Sequence, residues 1–232
     1  MKKTGKRYAS LLKSFNPKDT YGYKEAVAIV KKNATAKFDE SFEFAISLGV
    51  DPRKADQLVR GTVALPHGTG KSVRVLVMCK SPKDKDALAA GADYAGLEEY
   101  VEKIKGGWTD IDVIIATPDV MGEVGKLGRV LGPRGLMPNP KSGTVTFDVA
   151  TAVKEVKGGK IEYRVDKHGN VHAAVGKCSF TTQQLEENAL ALYQSVVRAK
   201  PQSAKGKYIK SINFTSTMGP GVKVSESSLP TV

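Results

Sequence analysis

The sequence predicts a chain of mixed α/β and α+β class in two domains. Residues 1–67 plus 160–232 form a split α+β domain holding both termini, and residues 68–159 form an inserted three-layer α/β domain. Three observations predict this. Apolar residues recur with a period of two in both flanks, the middle alternates strand-like with helix-like runs, and the excess positive charge lies in the flanks. Lys plus Arg number 36 against 24 Asp plus Glu, a net charge of +12. Residues 71–158 hold 13 basic and 12 acidic side chains, which leaves 23 basic and 12 acidic outside them. A flank excess of +11 suits a polyanion, either nucleic acid or an anionic membrane surface.

In the first flank, residues 8–15 and 23–32 carry helical spacing, with Ala26, Ile29 and Val30 on one side of the second segment. Phe42, Phe44, Ile46 and Leu48 then alternate with Glu43, Ala45, Ser47 and Gly49, which predicts a half-buried strand over 37–48. After Asp51-Pro52 a polar connection runs to Pro66-His67-Gly68-Thr69-Gly70-Lys71, where the glycine pair marks a hinge.

From Ser72 the texture changes. A strand is expected over 73–79, two helical stretches over 82–105, and a short buried strand over 112–117, which together argue for a helix-covered parallel sheet. Residues 119–131 read as helical, with Gly122, Gly125 and Gly128 forming a bare stripe suited to close backbone approach. Gly132 to Lys141 contains three prolines and two glycines and should hold a shaped surface loop. A helix over 147–156 stops at a second hinge, Gly158-Gly159.

In the last flank, Ile161, Tyr163 and Val165 lead into residues 166–170 and Val171, Ala173 and Val175 lead out, which predicts a hairpin. Thr181 with Gln184 makes a capping-box pattern before a helix ending near Lys200. A last strand is expected over 208–218, and the tail 224–232 is expected to be flexible. Each flank alone has too few strands for a sheet, so the flanks are paired into one domain about a double-stranded hinge. Two consecutive domains would leave residues 1–67 without strand partners.

Several chemistries are excluded. Cys79 and Cys178 are far apart and form no thiolate zinc pattern, which fits a reducing cytosol. No apolar run reaches the roughly 20 residues that span a bilayer, and the basic Met1–Arg7 start has no signal-peptide segment behind it, so a soluble cytoplasmic protein without a membrane partner is expected. His67 to Ser72 ends like a phosphate-binding loop, but the required first glycine is Leu65 and a strand follows. His168 and His172 have zinc-like spacing across a turn that need not converge them. No activated nucleophile or distinguished carboxylate pair is present, so neither catalysis nor a cofactor is expected. A nucleotide-dependent α/β enzyme is the alternative reading, and a general basic nucleic-acid chaperone a third.

The binding candidates lie on the split domain. Lys37 pairs with phosphate, Phe38 packs on a sugar or base, and Ser41 and Glu43 bond 2′-hydroxyls or base amino groups. Ser216 to Gly221 follows a hydroxyl-rich strand, where small residues let an RNA backbone approach main-chain N–H groups. Lys167, His172, Lys177 and Ser179 fill out the hairpin side. The bland alternatives are strand packing for Phe42 and Phe44, an edge turn at 216–221 and a solvated face for the lysines.

Gly132-Pro133-Arg134-Gly135-Leu136-Met137-Pro138-Asn139-Pro140-Lys141, between Lys126–Leu131 and Ser142–Val145, closely resembles the signature of the L-one family of bacterial ribosomal proteins. The likeness extends to Lys37-Phe38-Asp39-Glu40, Asp51-Pro52-Arg53, residues 59–63 and 65–68, His172-Ala173, Val175-Gly176-Lys177 and Thr217-Met218-Gly219-Pro220. It implies a Rossmann-like inserted domain without enzyme activity and a split domain that binds 23S rRNA at the mobile stalk of the large subunit. Family contacts fall by motif on Lys37, Phe38, Ser41, Glu43, Ser211, Thr217, Met218 and Gly219, then Lys167 and His172. The resemblance further implies other large-subunit components as partners, movement with departing E-site tRNA, and repression of the operon's own mRNA.

Overall fold

The computed structural model describes residues 5–230; Met1–Thr4, Thr231 and Val232 lie outside the described residues, together with the parts of the N-terminal and tail expectations that fall on them. In chain order the first unit contains α1 (Lys6–Leu11), α2 (Tyr23–Asn33), β1 (Ser41–Leu48) and β2 (Arg60–Ala64). The second contains β3 (Val75–Met78), α3 (Lys83–Ala89), β4 (Tyr94–Gly96), α4 (Glu98–Lys105), β5 (Val113–Ala116), α5 (Met121–Lys126), α6 (Gly128–Leu131) and α7 (Val149–Lys157). β6 (Lys160–Arg164) returns to the first unit, followed by β7 (Asn170–Lys177), α8 (Thr182–Arg198), β8 (Ile209–Ser216) and β9 (Val222–Val224). The units divide at Gly70/Lys71 and Lys160/Ile161.

In the first unit a four-stranded antiparallel sheet runs in the order β7-β1-β8-β9. The period-two pattern of β1 buries Phe42, Phe44, Ile46 and Leu48 beneath α2 and α8 and turns Ser41, Glu43, Ala45 and Ser47 to the other face. Phe44 meets Phe214 edge-on at 4.8 Å, and Phe42 lies 5.3 Å from the same ring. Each such buried aromatic side chain stabilises by roughly 1.5–3 kcal/mol, so these three set the register of β1 against β8. Thr181 and Gln184 form the capping box, with Gln184 N–H donating to the Thr181 hydroxyl at 3.3 Å and Thr181 N–H to Gln184 Oε1 at 2.9 Å. Inside α8 the fully buried Asn188 bonds the Gly68 and Val175 carbonyls and the His67 N–H, at 2.9, 2.7 and 3.1 Å.

The second unit is a three-layer α/β structure. Its parallel sheet, in the order β4-β3-β5, has α3 and α7 packed on one face and α4, α5 and α6 on the other. Asp148 caps α7 by accepting the Thr151 N–H at 3.2 Å. The proline-rich loop is held inward by buried Pro138 and exposes Gly132 to Gly135. Its turn is fixed by Asn139, which accepts the Lys141 N–H and donates its own N–H to the Thr144 hydroxyl, both at 2.8 Å.

Several local expectations are corrected. α1 ends at Leu11 rather than 15, because the Ser14 hydroxyl donates to the Leu11 carbonyl at 2.7 Å and competes with the next helical turn. β1 begins at Ser41, and Lys37 and Phe38 occupy a bend before it. The polar connection after Asp51 contains β2, which pairs with β6 in a separate two-stranded sheet. β6 and β7 therefore diverge instead of forming a hairpin, sharing only the Val165–Val171 bridge across the turn. β4 went unread because three residues show no period. The helix over 119–131 breaks at Leu127, and apart from the chain neighbours and the helix's own backbone no atom lies within 4 Å of a Cβ built on Gly122, Gly125 or Gly128, so their stripe faces open space among the described residues. Val224 belongs to β9 and Leu229 is buried in the core, so the tail is packed as far as it is described.

Candidate nucleic-acid interface

Three segments meet at the Ser41 end of the sheet: the bend 36–40, the strand exit 177–179 and the turn 216–219. Glu40 joins them. Although only 1 % exposed, its carboxylate accepts the Ala36 N–H and the Met218 N–H, each at 2.9 Å, while its carbonyl accepts the Cys178 N–H at 2.8 Å. Burial pushes the Glu40 pKa up, but the neighbouring Ser216 hydroxyl, the two backbone N–H groups and the Arg7 charge outweigh it and hold the carboxyl below its ordinary value. The Ser216 contact is a close approach rather than a bond of normal geometry, since its buried Oγ has no hydrogen-bond partner among the described residues. Arg7 donates to the Met218 carbonyl and to the Thr35 hydroxyl, closing the cluster from the N-terminal side.

The other bonds in the cluster fix backbone. Ser41 N–H donates to the Thr217 hydroxyl at 2.9 Å, and Thr217 N–H returns to the Ser41 carbonyl at 3.1 Å. Asp39 accepts the Ser179 N–H at 3.2 Å and the Ser179 hydroxyl at 2.8 Å, and Lys177 donates to Ser41 Oγ at 3.2 Å. Burial and the nearby Glu40 charge push the Cys178 thiol up to about 11, so it stays protonated and unreactive at neutral pH.

Of the twelve residues singled out in the sequence, the structure gathers nine here: Lys37, Phe38, Ser41, Glu43, Lys177, Ser179, Thr217, Met218 and Gly219. Phe38 and Met218 are more than half exposed, two apolar side chains presented beside backbone held rigid from below. The remaining three lie farther along the sheet from Ser41, His172 by about 13 Å and Ser211 by about 20 Å along the strands. His172 stands opposite Ala45, Ser211 opposite Ser47, and Lys167 sits in the 166–170 turn. Asp166 organises that turn by accepting the Asn170 and His168 N–H groups, each at 2.8 Å, and these bonds lower its pKa. A polar strip of Glu43, Thr215, Asn213, Ser47 and Ser211 links the two ends.

One expected mechanism is narrowed at Thr217, Met218 and Gly219. The N–H groups of Thr217, Met218 and Gly219 are all consumed inside the protein, by the Ser41 carbonyl, the Glu40 carboxylate and the Ser216 carbonyl, so none is free for an RNA backbone. Gly219 also suits the protein itself, because a Cβ there would stand 2.4 Å from Ser216 Oγ and the serine side chain would have to turn away. Sequence reasoning named Asp39 and Glu40 only within a motif, without their role as the groups that hold the others, and missed Arg7. The available signal was Glu40 itself, a carboxylate directly before a strand of buried aromatics.

The Ribosomal protein L1p/L10e family model matches residues 30–220. The chain is 59 % identical over 226 residues to the Large ribosomal subunit protein uL1 of Chlorobaculum tepidum, a match covering 97 % of this chain and 98 % of that protein. Both matches span the split sheet and the inserted three-layer unit alike, which sets aside the nucleotide-enzyme alternative. The chain belongs to the L1p/L10e family of ribosomal proteins and is a structural component of the ribosome, not an enzyme.

Proposed function

We propose that the split unit anchors this protein to 23S rRNA at the mobile stalk of the large subunit in the cytoplasmic ribosome. Contacts fall on Lys37, Phe38, Ser41, Glu43, Lys177, Ser179, Thr217, Met218 and Gly219 at one end of the sheet, and on Lys167, His172 and Ser211 at the other. The supporting observation is the Glu40 cluster, in which a buried, ionised carboxylate rigidifies two loops that present exposed Phe38 and Met218. Such a surface recognises folded RNA by shape and stacking, with the basic flanks supplying the salt-dependent part of the affinity. On the same reading the protein contacts neighbouring large-subunit components, takes part in E-site tRNA release, and represses its own operon mRNA through an RNA fold that mimics the rRNA site.

The test titrates the protein, Thr217→Ala and Thr217→Ser against a stalk rRNA fragment and an unrelated structured RNA at several salt concentrations. Selective binding that drops by more than about tenfold, about 1.4 kcal/mol, in Thr217→Ala and is restored by Thr217→Ser is expected. Equal, salt-labile binding to both RNAs would reduce the interface to nonspecific charge.

A further inference from the structure

The β9 edge of the sheet carries a basic notch used by none of the contacts above except Ser211. β8 begins at Ile209, yet β9 pairs only with Ile212 to Phe214, so the first residues of β8 have no strand beside them on that side. The chain beyond β9 turns away where the Ser225 N–H donates to the Tyr21 carbonyl at 2.9 Å, and the Tyr21 N–H fixes the Lys223 carbonyl at 3.0 Å. Between the start of β8 and the 225–227 turn this leaves a recess of about 380 Å³.

Lys207, Lys210 and Lys223 line the recess and all three are exposed. The single carboxylate in its wall, Glu226, stands 3.5 Å from Lys207, so three cations face one anion. A β-bulge sets Lys210 out: Ser47 opposes Ser211 while Leu48 opposes Ile209, which leaves Lys210 as the unpaired extra residue. The Ser225 and Ser227 hydroxyls lie 2.8 Å apart, a contact that consumes only one of their two protons. Lys223 also stands opposite Asn213, which stands opposite Ala45, in a row that reaches His172 across the open face.

We propose that this notch holds phosphodiester groups of the bound rRNA and extends its track from the open face past Ser211 to the β9 edge. The proposal rests on the rRNA-anchoring reading, because the same clustered ammonium and hydroxyl donors would accept a free phosphate if no RNA lay on the face.

The experiment measures affinity for the stalk rRNA fragment against salt concentration, using the full chain. It compares the unsubstituted protein with Lys207→Gln/Lys210→Gln/Lys223→Gln and with a charge-matched control, Lys24→Gln/Lys32→Gln/Lys200→Gln, on the helical side. Each neutralised phosphate contributes about 0.7–0.9 to the slope of log affinity against log salt, so loss of two contacts should flatten it by about 1.5 in the notch variant alone. Lys223→Glu, read the same way, covers the case in which the triple variant fails to fold. An unchanged slope in the notch variant while the unsubstituted protein still binds selectively would overturn the notch and spare the anchoring reading. Equal flattening in the control would assign the effect to bulk charge and overturn the notch as well. Absence of selective binding by the unsubstituted protein would overturn both. Inorganic phosphate that shifts the Lys223 amide resonance in a protein whose same resonance ignores the rRNA would mark a small-anion site instead.

Discussion

Replacing Glu40 by Gln should loosen the split unit while leaving the second unit untouched. The carboxylate accepts two backbone N–H groups at 2.9 Å each from a site 1 % exposed. A glutamine keeps one acceptor oxygen and turns an NH₂ donor toward the other N–H, so one charge-assisted bond is lost and one buried donor is left unpaired. A bond to a charged group contributes about 1.5–3 kcal/mol and an orphaned buried donor costs a similar amount, but the loops can admit water, so a loss of about 3 kcal/mol is expected. Because the folded Glu40 pKa is depressed below its ordinary 4.5, the stabilisation is present above that value and fades as pH falls through the folded value. The gap between the two proteins should therefore be full at pH 7 and narrow as pH falls below 4.5 and through the lowered folded value. Amide exchange of β1 and β8 residues, followed by NMR, reports the split unit; the fluorescence of Trp108, the chain's single tryptophan, reports the second unit and should not change. Exchange free energies within about 0.5 kcal/mol of the unsubstituted protein at pH 7, or a gap that stays constant into acid, would refute the role given to this carboxylate.

Gly49→Ala should cost about 3 kcal/mol in the same exchange measurement, since the new Cβ would stand 2.1 Å from the Lys207 carbonyl oxygen and backbone must move. Leu229→Ala should cost about 2–3 kcal/mol by denaturant titration, whereas a loose tail would show no change. In the second unit, Lys71 at 2.6 Å and the Arg74 N–H at 3.1 Å hold the Asp112 pKa down at about 2. That stabilisation is present above the ordinary 3.8 and disappears as pH falls toward 2. Because Lys71 is 62 % exposed, solvent screening reduces its worth to about 1 kcal/mol, so Asp112→Asn should lower the Trp108-monitored stability by about that much at pH 7 and by progressively less as pH falls through about 2.

What the sequence revealed depended on the range of the interactions involved. The period-two run Phe42 to Leu48 is a local pattern imposed by burial of one face, and β1, β7 and β8 follow it. β4 has three residues and β2 sits in polar surroundings, so neither carries a period, and both exist because a neighbouring strand supplies their bonds. The hairpin failed for a related reason. Its turn chemistry at Asp166 to Asn170 is local and formed as expected, but whether the two arms stay paired was decided by β1 on one side and β2 on the other, both far away in sequence.

The candidate interface divides along the same line. Phe38 was legible because an aromatic amid polar neighbours is conspicuous in sequence, and Met218 through the family motif it belongs to. The groups that hold them were not, and although Glu40 stood out as a carboxylate before a buried strand, its partners did not. Glu40 reaches 178 residues along the chain to Met218, and Arg7 reaches 211 residues to the same residue's carbonyl. Nothing near either residue announces such a partner. This division carries a consequence for substitutions at the rim. On the proposed anchoring to rRNA, removing Phe38 takes away a contact surface and leaves the loops in place, so it should weaken RNA binding without changing stability. Removing Glu40 leaves that surface intact but unheld, so binding should weaken in proportion to the loop opening, and the Glu40 variant's losses of binding and of stability should share the pH dependence of that carboxylate.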